Sequence, residues 1–321
     1  MSSSESESRN VRLIHSGEYE DGLFHLVDLN LYDSSIFGNA CIFQANEDLI
    51  IFDAGTSENV NQIVNHIDFH ELKTRKIYIV LSHHHFDHSG GVLPLITHFE
   101  KNHVPVKLVT TTLMAARLRN ISKHVDGARK QFKKMLGTVK RIPNQYVISM
   151  RPGSRFVIDM DHVIELLPTP GHCPDHVSPV VYKRGKPVLC YLGEALGINL
   201  RKHLSPLPAC VAPDFSRVEY VASIKKIRSL EPEIGIFGHV GGVRGIENVI
   251  STCDLALTKL DEVTKYIKTS MHEKRLSTSQ LVEVMKNKYK EYIATCVMDD
   301  EIVDNLSFLL VYGLLKDLGY K

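Results

Sequence analysis

Several things are missing from this chain of 321 residues, and each absence removes a class of protein. No apolar run approaches the roughly 18 residues that a membrane-spanning helix needs, so a helical membrane protein is not expected. There is no charge excess: 38 Lys and Arg against 37 Asp and Glu leave a net charge of +1. Nothing global therefore drives the chain toward nucleic acid or an acidic membrane. Tryptophan is absent, which decides nothing. The six cysteines, at 41, 173, 190, 210, 253 and 296, form no C-x-x-C pair. A chain this long does not depend on disulfides, and the thiols read as reduced. The opening MSSSESESRN has no basic segment followed by an apolar core. It reads as a disordered tail over 1–10 rather than a secretory signal, and the expectation is a cytoplasmic protein. No repeat of solenoid period is present.

What remains is an ordinary globular composition, 43% hydrophobic and 23% charged, in a chain long enough for a large core. The first half is written in short β-rich runs bounded by Gly, Asn and Asp: GLFHLVDLN (22–30), NACIFQAN (39–46) and DLIIFDAG (48–55). Val60, Ile63, Val64 and Ile67 then keep helical spacing. KIYIVLS (76–82) is a continuous apolar run, as in a strand covered on both faces. PVKLVTT (105–111) is another strand, and 112–137 reads as one or two helices. A second series of strands follows between 146 and 193, then an amphipathic helix over 217–230 and a strand in EIGIFGHVGG. Strands alternating with helices predict an α/β layered core. From 246 onward apolar residues hold helical period, with the Ser277 to Ser279 stretch as a cap for the middle segment and a last helix at about 302–318.

The chemistry concentrates in IVLSHHHFDHSGG (79–91), with four histidines and an aspartate within six positions directly after a strand. Such a run reads as a solvated accident, a proton relay or a metal cage. In an extended chain residues two apart share a face, so His83 and His85 can aim at one ion. Asp87 and His88 fall where the chain turns and can aim at a neighbouring point. Imidazole suits Zn, Fe, Cu and Ni, while carboxylate suits harder ions and bridging positions. His84 alternates to the other face and reads as structural or exposed. One cluster cannot complete a cage. Three downstream sites offer a ligand-type residue beside Gly after an apolar run: His172 in TPGHCPDH, Glu194 in YLGEALG and His239 in IFGHVGG.

Taken in order, H-x-H-x-D-H, TPGH, Gly-Glu and Gly-His resemble the metallo-β-lactamase superfamily, with closest similarity to its glyoxalase II-like hydrolase branch. FDAG, with Asp53, fits the same pattern, and the resemblance covers residues 20 to 245. It implies an α/β four-layer αβ/βα sandwich with metals at one edge between two sheets. Carried over by position, it implies that His83, His85 and His172 hold one ion and that Asp87, His88 and His239 hold a second. Glu194 stands where the family places a bridging carboxylate, and Asp53 would orient a ligand histidine from behind. The family's bridging residue is an aspartate. Here it is a glutamate, one methylene longer, and the count of two ions depends on it.

The implied organisation is a tail at 1–10, a catalytic domain at 11–245 with a helical insertion at about 112–144, and a helical extension at 246–321. The implied activity is hydrolysis of an ester, thioester or lactone carbonyl by a metal-bound hydroxide, with Asp87 as the catalytic carboxylate. Two divalent ions are expected, zinc first and iron or manganese as alternatives. Competing readings are a mononuclear-iron persulfide dioxygenase-like oxidoreductase, a phosphodiesterase or nuclease, and a non-catalytic metal module. The substrate would be a small molecule, and nucleic acid is not expected. Basic residues between 123 and 141 read either as a solvated helix face or as a lid drawing an anionic substrate. The C-terminal helices read as packing on the core or as a homodimer contact. Specificity is expected from the loop at 32–39, the 112–144 insertion and those helices.

Overall fold

The computed structural model describes residues 12–13, 16–20, 22–33, 37–199, 206–293 and 300–321. The tail at 1–10, part of the 32–39 loop and Cys296 lie outside them.

The first half of the chain builds β1 (Arg12–Leu13), β2 (Gly17–Tyr19), β3 (Phe24–Asp28), β4 (Asn39–Ala45), β5 (Asp48–Phe52), α1 (Val60–Phe69), β6 (Lys76–Val80), α2 (Phe86–Ser89), α3 (Val92–Lys101), β7 (Val106–Thr111), α4 (Thr112–Arg119), α5 (Ile121–Phe132) and β8 (Val147–Met150). The second half builds β9 (Arg155–Val157), β10 (His162–Pro168), β11 (Val177–Lys183), β12 (Lys186–Gly193), α6 (Arg217–Leu230), β13 (Ile234–Phe237), β14 (Gly242–Arg244), α7 (Ile246–His272), α8 (Thr278–Ile293) and α9 (Asp300–Asp317). Strands and helices fall where the apolar patterns predict them. The 112–137 stretch resolves into α4 and α5, followed by a short 3-10 turn.

The strands form two seven-stranded sheets, β2-β3-β4-β5-β6-β7-β8 and β1-β14-β13-β12-β11-β10-β9. Side-chain alternation divides each sheet between two cores. Phe24, Leu26, Phe43, Ile50 and Phe52 of the first sheet meet Leu166, Val181, Leu189, Tyr191 and Ile236 of the second. The opposite face of the first sheet, with Val27, Ile42, Leu49 and Ile79, is covered by α1, α3 and α4. The opposite face of the second, with Val180, Cys190, Leu192 and Phe237, is covered by α6 to α9. Helix, sheet, sheet and helix thus form the four layers.

Strand direction decides where function can sit. β5 and β6 run parallel, as do β12 and β13, while β10 reaches the same sense as β12 through the antiparallel β11. Their C-terminal ends therefore open at one edge of the sandwich. The loops leaving those ends carry Asp53, Ser82 to His88, His172, Glu194 and His239. Such loops on a rigid scaffold are where reactive groups are commonly held.

The helices α7, α8 and α9 are integrated with the core. Val249, Cys253, Ala256, Leu260, Val263 and Ile267 of α7 share one cluster with Leu192, Phe215 and Tyr220. Ser277 caps α8 reciprocally: its hydroxyl accepts from Gln280 N at 3.3 Å, and Gln280 Oε1 accepts from Ser277 N at 2.8 Å. The described part of the 32–39 loop is tied across the sheets. Asn39 Nδ2 donates to Phe237 O at 2.5 Å, and Gly241 N donates to Asn39 Oδ1 at 2.6 Å.

Leu260→Ala should lower unfolding stability by about 2–5 kcal/mol, the cost of a large-to-small change in a packed core. Val218→Ala, at an exposed position of α6, should change it by less than about 0.5 kcal/mol. Urea denaturation followed by circular dichroism separates this from a loosely attached α7, for which both variants would unfold alike.

Candidate metal centre

Two groups of metal-ligating side chains lie side by side at the open edge. In the first, His83 Nε2 lies 2.8 Å from His85 Nδ1, and His172 Nε2 lies 3.0 Å from the same atom. In the second, Glu194 Oε1 lies 2.9 Å from His88 Nε2 and 2.8 Å from His239 Nε2. Asp87 Oδ2 stands 3.7 Å from His88 Nε2 and 4.0 Å from His239 Nε2. The fold thus brings together all seven residues singled out for metal binding.

The outward partners of these rings reveal where their protons sit. Ser82 Oγ donates its one proton to Asp53 Oδ2 at 2.7 Å, so it must accept from His83 Nδ1 at 3.0 Å. His172 Nδ1 faces the Ala209 carbonyl at 2.7 Å, which can only accept. Both rings therefore turn bare Nε2 lone pairs inward. Burial pushes the His83 and His85 imidazoles well below the ordinary histidine range, so neither carries a second proton. A proton on His85 Nδ1 satisfies one neighbour at most. Three converging lone pairs without enough protons suit a cation.

The second group gives the same answer by charge. His88 Nδ1 donates to Asp53 Oδ2 at 2.7 Å, turning Nε2 toward Glu194. Burial alone would lower His88, but Glu194, Asp87 and Asp53 outweigh it and raise the ring well above its ordinary value, a measure of the negative charge that converges on Nε2. Burial likewise opposes ionisation of Glu194, yet His88, His83 and His172 keep its carboxyl well below the usual range. Glu194 Oε2 and His239 Nδ1 are buried without hydrogen-bond partners. A buried carboxylate with a free oxygen, ringed by imidazoles, is the donor set of a divalent ion.

Backbone geometry holds the ligand-type groups in place. Asp53 adopts a left-handed φ of 59°, tolerable for Asp, and its carboxylate also accepts from Ser82 N at 2.7 Å. At Gly91 a Cβ would lie 2.1 Å from Ala54 O, so only glycine lets α2 press against the Asp53 turn. Gly193, at φ 53°, leaves room for the His176 ring, whose Nε2 accepts from Glu194 N at 3.1 Å. His176 Nδ1 bonds Thr169 Oγ1 at 2.9 Å, and burial lowers this ring to about 4. His176 therefore orients Glu194. Cys173 lies within reach of the first group, but burial raises its thiol well above the ordinary value, leaving a poor ligand.

Of the two readings open for His84, structural or exposed, the first holds: it is buried, its Nδ1 2.9 Å from Asp175 Oδ1. Arg117 and Phe37 carry no signal in the sequence. Arg117 lies 3.5 Å from Asp175 and is bonded to Asp214. Phe37 stacks on His239 with centroids 5.0 Å apart. Ser82 was detectable in principle, since it immediately precedes the histidine run.

The two groups open into a cavity of about 520 Å³. Its walls are largely apolar: Ile121, Val125, Ala128 and Phe132 from α5, Ile302, Leu306, Leu309 and Leu310 from α9, and Leu207 to Pro213 between. Tyr32 lines it too, its hydroxyl kept protonated by burial and by the Asp87 and Glu194 carboxylates. Among the described residues, Arg117 is the cationic Lys or Arg side chain on the wall, and it is already paired. Arg129, Lys133, Lys140 and Arg141 are exposed and absent from the lining, with Lys133 paired to Glu301 at 2.9 Å. The side chains of Lys123, Lys130 and Lys134 lie outside the described residues.

A family profile described as "Metallo-beta-lactamase superfamily" matches residues 36–239. No curated protein sequence matches the chain. Among solved structures, the metallo-β-lactamase superfamily protein ST1585 from Sulfolobus tokodaii aligns at TM-score 0.62 and 18% identity, over 91% of this chain and 97% of its own. A β-lactamase domain protein from Burkholderia ambifaria aligns at 0.63 and 16%, over 95% and 88%. A metallo-β-lactamase family protein from Thermus thermophilus, TTHA1429, aligns at 0.61 and 14%, over 92% and 93%. At these identities the likeness speaks for the fold. Among the described residues, no helix is long and apolar enough to cross a membrane.

Asp53→Asn keeps the side chain's shape and removes its charge. It should weaken the protein's affinity for Zn²⁺ by about 10- to 100-fold, as loss of a partner behind a ligand histidine does. Competition with a chromophoric chelator measures this, and unchanged affinity would remove Asp53 from the centre.

Proposed function

The chain belongs to the metallo-β-lactamase superfamily, and on that premise we propose that it is a metal-dependent hydrolase of the glyoxalase II-like kind, cleaving an ester, thioester or lactone with an apolar acyl portion. The observation that carries this reading is the pair of ligand groups, proton-poor on one side and carboxylate-rich on the other, opening into an apolar cavity. His83, His85 and His172 would hold one divalent ion. Asp87, His88, His239 and Glu194 would hold a second, with zinc expected at both. Bound there, the ions supply an acidified water and a Lewis acid for the carbonyl.

The protein's own groups do the rest. Asp87, partly open to the cavity, orients the attacking water and accepts its proton at Oδ2. It then returns that proton to the departing alkoxide or thiolate. The Tyr32 hydroxyl is a protonated donor on the same wall, suited to the oxyanion that develops at the carbonyl. α5 and α9 bind the acyl portion and exclude water from the reacting carbonyl. The exposed basic residues of the 123–141 segment fit a solvated face, and the paired Arg117 leaves no free cation for an anionic headgroup among the described lining.

Purified protein should carry about two equivalents of zinc by elemental analysis. It should also hydrolyse a series of acyl thioesters, with kcat/KM rising about fourfold per methylene until the cavity is filled, the equivalent of about 0.8 kcal/mol per buried CH₂. One iron with oxygen uptake instead would replace this reading with the oxidoreductase one. Tyr32→Phe should lower kcat by about 10²-fold with little change in KM, the signature of a donor used in the transition state. An equal rise in KM alone would make Tyr32 a wall residue only.

A further inference from the structure

A second group of histidines lies away from the catalytic edge. His66 and His70 stand one turn apart on the same face of α1, at its last turn and just beyond its end. His25 reaches them from β3. Its strand neighbours Phe24 and Leu26 point into the core between the sheets, so His25 points with Val27 toward α1. That face is otherwise aliphatic, yet this position holds an imidazole that is 1% exposed.

The three rings converge. His66 Nε2 lies 3.2 Å from His25 Nδ1. Ring centroids are 4.3 Å apart for His66 and His70, 4.9 Å for His25 and His70, and 5.2 Å for His25 and His66. One nitrogen from each ring lies within 4.8 Å of the others. Nitrogens bound to a common tetrahedral ion at about 2.0–2.1 Å stand about 3.3 Å apart, so a small rotation of His70 completes the set.

From this convergence we propose that His25, His66 and His70 form a separate binding site for a borderline-soft divalent ion such as Zn²⁺, Cu²⁺ or Ni²⁺. All-imidazole donor sets select such ions over Mg²⁺ or Ca²⁺. Burial lowers His25, and burial with the neighbouring rings lowers His66 to about 4, so both present neutral imidazole at pH 7. Glu18 lies directly across from His25 on β2 and supplies countercharge beside the site. The fourth position is left to water. α1 begins beside the Asp53 turn and ends at these histidines, so an ion would pin its far end to the first sheet while leaving the catalytic groups untouched.

The test loads Cu²⁺ onto full-length protein carrying His83→Ala, His172→Ala, His88→Ala and His239→Ala, which disable both groups of the catalytic centre. One equivalent should remain bound, with nitrogen couplings in its electron paramagnetic resonance spectrum. Adding His66→Gln and His70→Gln should abolish that signal with circular dichroism unchanged. In the otherwise native chain titrated with Zn²⁺, the same Gln pair should remove a third equivalent, taken up beyond the two at the catalytic centre, and leave hydrolysis unchanged. Unchanged stoichiometry in the Gln variants, or Cu²⁺ bound without nitrogen couplings, overturns the proposal. Its fate is independent of the hydrolase reading, because the copper spectrum and the zinc stoichiometry require no substrate.

Discussion

The arrangement depends on one carboxylate. Asp53 sits in the turn that ends β5, and its two oxygens accept from Ser82 N, Ser82 Oγ and His88 Nδ1. It thereby locks the exit of β6 to the exit of β5. It also fixes the His83 ring through the serine and the His88 ring directly, so one buried anion sets the proton positions in both groups of ligand-type residues. A buried carboxylate is tolerable only when its lone pairs are occupied, and here hydrogen bonds occupy them from two directions. The left-handed backbone at Asp53 is the local cost of aiming it there.

The second sheet supplies the remaining groups through backbone contacts of the same kind. Gly238 N donates to Gly193 O at 3.0 Å, joining the Glu194 and His239 turns. Asn39 N donates to Gly238 O at 3.1 Å, and Tyr191 donates from its hydroxyl to Asn39 O at 3.1 Å. The ligand-type groups are thus mounted on strand ends cross-braced between the sheets. Cross-bracing of this kind holds a metal-ligand constellation within tenths of an ångström.

Much of this could be read from the chain, for reasons of spacing. H-x-H-x-D-H compresses four ligand-type groups into one turn after a strand, and each downstream group sits beside glycine at the end of an apolar run. Both signals are local, so they survive without tertiary information. The apolar periods of α1 and α6 are local too, and those helices lie where their patterns put them. The cavity is not local. Its walls join α5 to α9, about 180 positions apart, and nothing in either helix's own pattern distinguishes a wall from a core face. The Arg117–Asp214 pair, 97 positions apart, was illegible for the same reason, and so was the neutral character it gives the cavity. The basic run at 123–141 reads either as a solvated face or as an anion-drawing lid, because counting charges does not show which way they point.

The placement of α9 carries a consequence in time. Every group gathered at the two candidate metal clusters lies between residues 53 and 239, whereas α9 begins at residue 300. During synthesis the ligand-type residues therefore emerge well before this wall of the cavity. The ligand-type groups of a nascent chain can gather while the cavity is still open to water, and the α9 wall closes it only afterwards.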